Sequence, residues 1–332
     1  MKKTIMFLLV LLGLFLITGC GKTDKNSVLR KINDKYCDTK GYQTKSELEI
    51  LSGDDIYKYD VIVSYKKKDY YRVSLLNKEN NHEQIILRNK DGVYVLSPSL
   101  NKSFKFQSNW PFNNSQGYLP QSVINDLRSD KNVKMINNKN AYVFTSKVNY
   151  KNNINLTHQE VIVDKDLNIK RVTIFDDDEN VQMKITYKST ETNVKFKKNY
   201  FVLESNMKAA SKNTISETAK LDEAIYPMYL PEGTYLDNEK VMELSNGSRI
   251  ILTFAGNNPF MLVEQTIKKT DDFEVVPTSG DIDMSTFGVA IVDDSSISWV
   301  SGDVEYYLVS SNLSNNELLQ VANSISSIPV SK

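Results

Sequence analysis

Alternation of apolar and polar residues over the first two thirds of the chain constrains its fold most. Between residues 41 and 190, short runs with a period of two follow one another and are separated by turn residues. In one of them Tyr59, Val61 and Val63 share a face. A period of two places every second side chain on the same side of a strand. About 11 such runs predict a long antiparallel sheet.

Two helices are predicted within this series of strands. Ser27 can cap the first, which runs to about Tyr36, and Pro120 can begin the second, which runs to Arg128. A sheet with this many strands is long enough to curl around its helices. The fold class is therefore mainly β, or α+β.

A chain of 332 residues is more typical of two domains than of one. The polar stretch 206–217 is predicted as a linker between an N-terminal domain, 27–205, and a C-terminal domain, 218–332. The C-terminal part combines strands and a strong Asn-Gly turn with a final helix. Ser314 and Glu317 form a capping box at the start of that helix. These features predict a small α+β domain.

The N-terminus has the pattern of a lipoprotein signal peptide. Lys2 and Lys3 precede an uncharged apolar run, and Ile17-Thr18-Gly19-Cys20 forms a lipobox. The run is too short to span a bilayer. We expect residues 1–19 to be a signal peptide and Cys20 to carry a diacylglycerol, with 20–26 as the lipidated tether. The protein would then be lipid-anchored on the extracytoplasmic face of the cell membrane. The alternative is a secreted protein with an accidental Cys at the cleavage site.

Charge differs between the two halves of the chain. Residues 21–214 contain 33 Lys and Arg against 23 Asp and Glu, a net charge of +10. Residues 215–332 contain 6 against 18, a net charge of −12. Opposite signs indicate different partners, or attraction between the domains. The basic half could favour an anionic membrane or cell-wall polymer, or it could be only a solvated lysine-rich surface.

Catalytic and metal-binding patterns are not found in the sequence. His82 and His158 lie in strand contexts without metal-ligand spacing, and the acidic run 176–179 lacks the spaced ligands of a calcium loop. No phosphate-binding glycine loop or catalytic triad pattern is present. We therefore expect no enzyme activity and no cofactor. Nucleic acid is excluded as a partner mainly by the expected compartment.

A loop in the middle of the first domain is the predicted interaction site. Trp110, Phe112, Tyr118 and Leu119 lie in a Pro-bounded, Asn-rich stretch and form the candidate partner or ligand edge. Exposed aromatic side chains in such a loop suit a partner's pocket. The many Tyr and Phe residues of the strands could line a cavity for acyl chains, or could pack a sheet against its helix.

The layout resembles that of a known group. The lipobox, short helix, Tyr-rich antiparallel strands and Pro-led helix are similar to the LolA-like lipoproteins of spore-forming Firmicutes, of the YdcC and GerS types. Four C-terminal segments resemble an uncharacterised domain that is common in sporulation lipoproteins and anti-sigma proteins. These segments are Leu230-Pro231-Glu232-Gly233, Ile297-Ser298-Trp299, 302–308 and 313–325. YdcC-type proteins combine both domains, whereas GerS-type proteins are generally shorter.

The resemblance implies a curved half-barrel with helices on its concave face, and a non-catalytic role in envelope or spore processes. Two hypotheses follow. The protein is a membrane-anchored scaffold that binds an envelope or spore protein, such as a cell-wall hydrolase. Alternatively, it is a carrier or sensor of lipid or lipoprotein acyl chains. A short tether limits how far cargo can be moved and favours the scaffold.

Overall fold

The computed structural model describes residues 24–210, 221, 223–245, 247–267 and 273–325. Cys20 and the expected signal peptide 1–19 lie outside the described residues, as do tether residues 20–23 and residues 211–217 of the expected linker.

Two β-sheets and four α-helices form the described part of the chain. The N-terminal strands are β1 (Gly41–Ser52), β2 (Asp55–Lys66), β3 (Tyr70–Asn77), β4 (Glu83–Asn89), β5 (Gly92–Ser97), β6 (Lys102–Phe106), β7 (Lys134–Asn137), β8 (Ala141–Lys147), β9 (His158–Asp164), β10 (Ile169–Phe175) and β11 (Val181–Thr192). The C-terminal strands are β12 (Thr234–Leu244), β13 (Gly247–Gly256), β14 (Phe260–Thr266), β15 (Glu274–Thr278), β16 (Asp281–Ser285), β17 (Gly288–Asp293), β18 (Ser296–Ser301) and β19 (Val304–Val309). The helices are α1 (Lys25–Tyr36), α2 (Pro120–Ser129), α3 (Leu203–Ala210) and α4 (Asn315–Asn323).

The first sheet has twelve strands in the order β15-β6-β5-β4-β3-β2-β1-β11-β10-β9-β8-β7. Eleven of them are the predicted N-terminal strands, and they pair antiparallel. The mainly β prediction is confirmed. β15 comes from the C-terminal part and pairs parallel with β6, so the chain returns to complete the edge of its own first sheet. The sequence pattern did not predict this strand.

Helix boundaries follow the capping residues. In α1 the side chain of Asp24 accepts a hydrogen bond from the Ser27 backbone N–H at 3.2 Å. Asp24 is therefore the N-cap, and the prediction that Ser27 caps this helix is wrong by one turn. Pro120 does begin α2, where its missing N–H costs nothing. Ser314 and Glu317 form the predicted capping box of α4.

One face of the first sheet, here called the inner face, carries Tyr59, Val61 and Val63 and packs against α1 and α2. A row of aromatic rings crosses this face from α1 to the loop after β6. The rings, in order, are Tyr36, Tyr42, Tyr65, Tyr71 and Trp110. The distances between the centroids of successive rings are 5.8, 5.3, 5.0 and 5.8 Å. Tilted and edge-on aromatic pairs each contribute roughly 0.5–1.5 kcal/mol beyond burial, so these residues act as core packing.

The opposite face of the same sheet is covered near β3–β5 by the segment that leaves the last strand. Phe201 and Met207 are buried there against Ile85 and Leu87. Residues 206–210 belong to α3, so this part of the expected linker 206–217 is helical and packed rather than an open connection. Its apolar Met207 anchors it.

The second sheet has seven strands in the order β12-β13-β14-β19-β18-β17-β16. The expected hairpin is confirmed: Leu244 of β12 pairs with Gly247 of β13. Leu318 and Val321 of α4 pack on the sheet against a core that includes Leu262 and Trp299. No helix in the described ranges is both long enough and apolar enough to cross a membrane.

Candidate functional site

The loop between β6 and α2 contains the predicted partner edge, and the structure changes its interpretation. Trp110 and Leu119 are 0% exposed and Tyr118 is 3% exposed, whereas Phe112 is 53% exposed. The expectation that these four residues form an exposed edge is therefore wrong for Trp110, Tyr118 and Leu119. Phe112 alone keeps the exposure that partner binding requires, and its binding role stays a prediction.

Trp110 is buried because the inner face provides a place for it. Its ring meets that of Tyr71 nearly edge-on at 5.8 Å. Its backbone N–H donates to the Ser108 hydroxyl at 3.1 Å, and Arg88 donates to its backbone carbonyl. The sequence contained one indication, since the alternation in β3 places Tyr71 on the inner face beside the loop.

Phe112 lies beside an open polar cleft. The Arg88 guanidinium carbon is 5.2 Å from the centre of the Phe112 ring, within the range of a cation–π contact. The cleft encloses about 340 Å³. Its polar lining residues are Arg88, Asn89, Lys90, Gln107, Ser108 and Asn109. An exposed aromatic ring beside cations and amides can receive a polar or anionic surface of a partner.

The Asn-rich end of the same loop contacts the C-terminal part of the chain. Asn114 Nδ2 donates to Asp283 Oδ1 at 2.6 Å, and Asn152 Nδ2 donates to Asp283 Oδ2 at 2.7 Å. Asn315, at the start of α4, donates to Asn152 Oδ1 at 3.2 Å. The polar side chains of Asn114 and Asn152 thus hold β16 in place. No local pattern in the sequence indicated a partner more than 160 residues away.

Burial determines the protonation of Asp283. Desolvation raises the pKa of its carboxyl from 3.8 to about 6, although the Asn152 and Asn114 hydrogen bonds act in the opposite direction. The raised pKa means that the folded state favours the protonated acid. The protonated Asp283 carboxyl therefore stabilises the folded state. This stabilisation is complete below pH 3.8 and is lost as the pH rises through about 6.

We therefore expect the Asp283→Asn variant to lose part of the pH dependence of stability. In the wild-type protein this group should lower the free energy of unfolding by about 3 kcal/mol between pH 3.5 and pH 7. The Asn side chain stays neutral throughout and removes that contribution. Guanidinium unfolding of both proteins at the two pH values measures it. If the free energy of unfolding falls by the same amount between pH 3.5 and pH 7 in both proteins, the burial of Asp283 is contradicted.

The C-terminal part also fills the inner face. Ile282, Val289 and Ile291 belong to the same core as the inner-face side chains. The Tyr59 hydroxyl donates to the Thr286 carbonyl at 2.7 Å, and the Val289 N–H donates to the Gln84 side chain at 2.9 Å. Two clefts along this junction hold only about 20 and 10 Å³, and a third, lined by Lys102, Gln265 and Glu305 among others, holds about 210 Å³. A small-molecule site typically needs about 300–1,000 Å³.

His158 and the acidic run 176–179 have structural partners. His158 stacks on Phe175 at 5.0 Å and lies 3.2 Å from the Glu179 carboxylate. The Asp176 carboxylate accepts from Asn180 and Gln182, which closes the acidic hairpin tip. No group of three His, Cys, Asp or Glu side chains suited to a metal ion occurs among the described residues.

Comparison with known proteins gives matches in sequence and matches in structure. The model of the family described as "Sporulation protein YdcC-like" matches residues 1–201. The sporulation protein YdcC of Bacillus subtilis (strain 168) is 33% identical over 328 residues, covering 98% of this chain and 97% of that protein.

Similar solved structures include a LolA-superfamily protein from Nitrosomonas europaea and the complex of the Clostridioides difficile CwlD amidase with the GerS lipoprotein. The first is 11% identical with a TM-score of 0.31, over 54% of this chain and 98% of that one. The second is 17% identical with a TM-score of 0.31, over 53% and 98%. These scores are too low to assign a partner. The family model matches more than half of the chain and the Bacillus subtilis relative matches nearly all of it, so the protein belongs to the YdcC-like family of sporulation proteins.

Proposed function

We propose that this protein is a non-catalytic binding protein of sporulation, held on the extracytoplasmic face of the cell membrane by a diacylglycerol on Cys20. The similarity to a sporulation protein over 98% of the chain supports the process. The lipobox that ends at Cys20 supports the anchor. Residues 27–205 would form a LolA-like half-barrel, and residues 218–332 a second domain docked on it.

One observation carries the binding role in preference to the carrier role. On a LolA-like sheet an acyl chain would occupy the inner face, and here Ile282, Val289 and Ile291 of the same chain occupy it. The larger cleft beside Phe112 is lined mainly by polar and cationic groups, which do not suit a hydrocarbon chain. A protein partner that contacts Phe112 and the adjacent cleft fits the described surface better.

The proposal is tested by purifying the tagged full chain from sporulating cells and measuring its complexes by native mass spectrometry. We expect a defined polypeptide partner whose yield falls about tenfold or more in Phe112→Ala, since central aromatic contacts carry much of the energy of an interface. The matched control is Ile136→Ala, because Ile136 is 61% exposed on β7 at the far edge of the sheet. If the yield of the partner is equal in both variants, Phe112 is not part of the binding site.

A further inference from the structure

β12 forms an edge of the second sheet and has one neighbour, β13, among the described strands. It is eleven residues long, and most of its side chains are exposed. An edge strand has backbone N–H and C=O groups that point away from the sheet and can pair with another extended chain. A long exposed edge is therefore a potential interaction surface.

The core-facing side of β12 extends beyond the elements that cover the rest of this sheet. Leu236 and Val241 pair with Phe254 and Ile250, which are buried. Leu236 and Val241 are nevertheless 39% and 55% exposed. The reason is that α4 packs over β18 and β19, at a distance from this edge.

A strap, residues 223–231, lies beside β12. The Ile225 N–H of this strap donates to both carboxylate oxygens of Glu264 at 3.1 and 3.0 Å. The Tyr226 hydroxyl donates to Glu239 of β12 at 2.5 Å. Tyr226 and Met228 are themselves 45% and 82% exposed. Strap and strand thus form one apolar shelf along the free edge.

Acidic side chains surround this shelf. Glu232, Asp237, Glu239 and Glu243 are exposed there, against the single exposed cation Lys240 of β12. A second copy of β12 would bring an excess of carboxylates together, which destabilises strand pairing. The register shift between Leu236 and Asn238 also interrupts a regular self-pairing. A basic extended segment avoids the charge repulsion, and it can pair with the regular stretch 238–244 that follows the register shift.

We propose that the free edge of β12 binds an extended, lysine- or arginine-rich segment of another protein as an additional strand. The backbone of that segment pairs with β12. On the core-facing side its cations lie beside Glu239 and Glu243, and their aliphatic stems cover Leu236 and Val241, because these four residues pair with the buried face of β13. Its alternate apolar side chains lie on the opposite side, beside Tyr235 and Met242. This surface goes beyond the proposed function, since it is built from the second sheet rather than from Phe112 and its cleft.

The probe is a labelled nine-residue peptide of alternating Lys and Val, titrated with the full chain in a non-ionic detergent and followed by fluorescence anisotropy. We expect saturable binding that weakens about tenfold or more in the double variant Asp237→Lys, Glu243→Lys. The matched control is Asp177→Lys, Asp178→Lys, which makes the same charge change at the exposed tip between β10 and β11. Its affinity should stay within about twofold.

Two further peptides separate strand pairing from simple charge attraction. One carries N-methyl groups on every Val amide and the other on every Lys amide. Each peptide therefore lacks the N–H donors along one of its two edges. At least one of them should lose binding about tenfold or more, because β-augmentation requires these N–H groups. The proposal is overturned by equal binding of all three peptides, by unchanged affinity in the β12 variant, or by a dimer of the free chain that β12 substitutions dissolve.

Discussion

Replacing Trp110 by Ala is expected to lower the free energy of unfolding by about 3–5 kcal/mol. Trp110 is fully buried at the end of the aromatic row on the inner face, in contact with Tyr71. The truncation removes that contact and leaves a cavity that the surrounding strands cannot close. Since folded domains are stable by about 5–15 kcal/mol, the loss should be evident in guanidinium unfolding followed by circular dichroism.

Phe112→Ala is the matched control, two residues along the same loop. Its ring is 53% exposed, and its cation–π contact with Arg88 contributes only about 0.5–1 kcal/mol at such a site. We expect its unfolding midpoint to stay close to that of the wild-type protein. If the two variants lose the same stability, Trp110 is not packed on the inner face as described.

Replacing Cys20 by Ala is expected to abolish lipid attachment. Each buried methylene of an acyl chain contributes about 0.8 kcal/mol, and two chains give stable anchoring where one does not. The measurement is metabolic labelling with an alkyne-bearing palmitate, followed by fluorescence of the separated chain. The wild-type chain should be labelled and the Cys20→Ala chain should carry no label.

Cys37→Ala is the matched control, because the chain contains only these two cysteines. Cys37 is partly buried after α1, and desolvation raises the pKa of its thiol to about 11. It therefore stays a protonated, poor nucleophile at neutral pH. This variant should be labelled like the wild type. Label that persists in Cys20→Ala would refute the anchor.

Local patterns in the sequence were sufficient to predict most of the secondary structure. The alternation in β2 marks Tyr59, Val61 and Val63 as one buried face, because strand geometry repeats every two residues. Pro120 and the Ser314–Glu317 pair mark helix starts for equally local reasons. The start of α1 was predicted wrongly, since Ser27 was taken as the cap and Asp24, three residues earlier, is the N-cap.

Contacts between distant parts of the chain could not be predicted in this way. β15 has only five residues and contains Pro277, which argues against a strand unless it lies at an edge. It does lie at the edge, beside β6, about 170 residues earlier in the chain. Likewise, nothing near Asn114 reveals that its amide is bound by Asp283. Three of the four side chains of the candidate edge therefore turned out to be core, and the binding role of the fourth, Phe112, stays a prediction.

Native mass spectrometry of the full chain purified from sporulating cells tests the central claim most directly, because it distinguishes a bound polypeptide from a bound lipid. With the inner face filled by Ile282, Val289 and Ile291, we expect a complex whose added mass is that of a protein. We also expect no non-covalent lipid in stoichiometric amount. A chain that carries such a lipid, and no polypeptide, would contradict the binding role and support the carrier role instead.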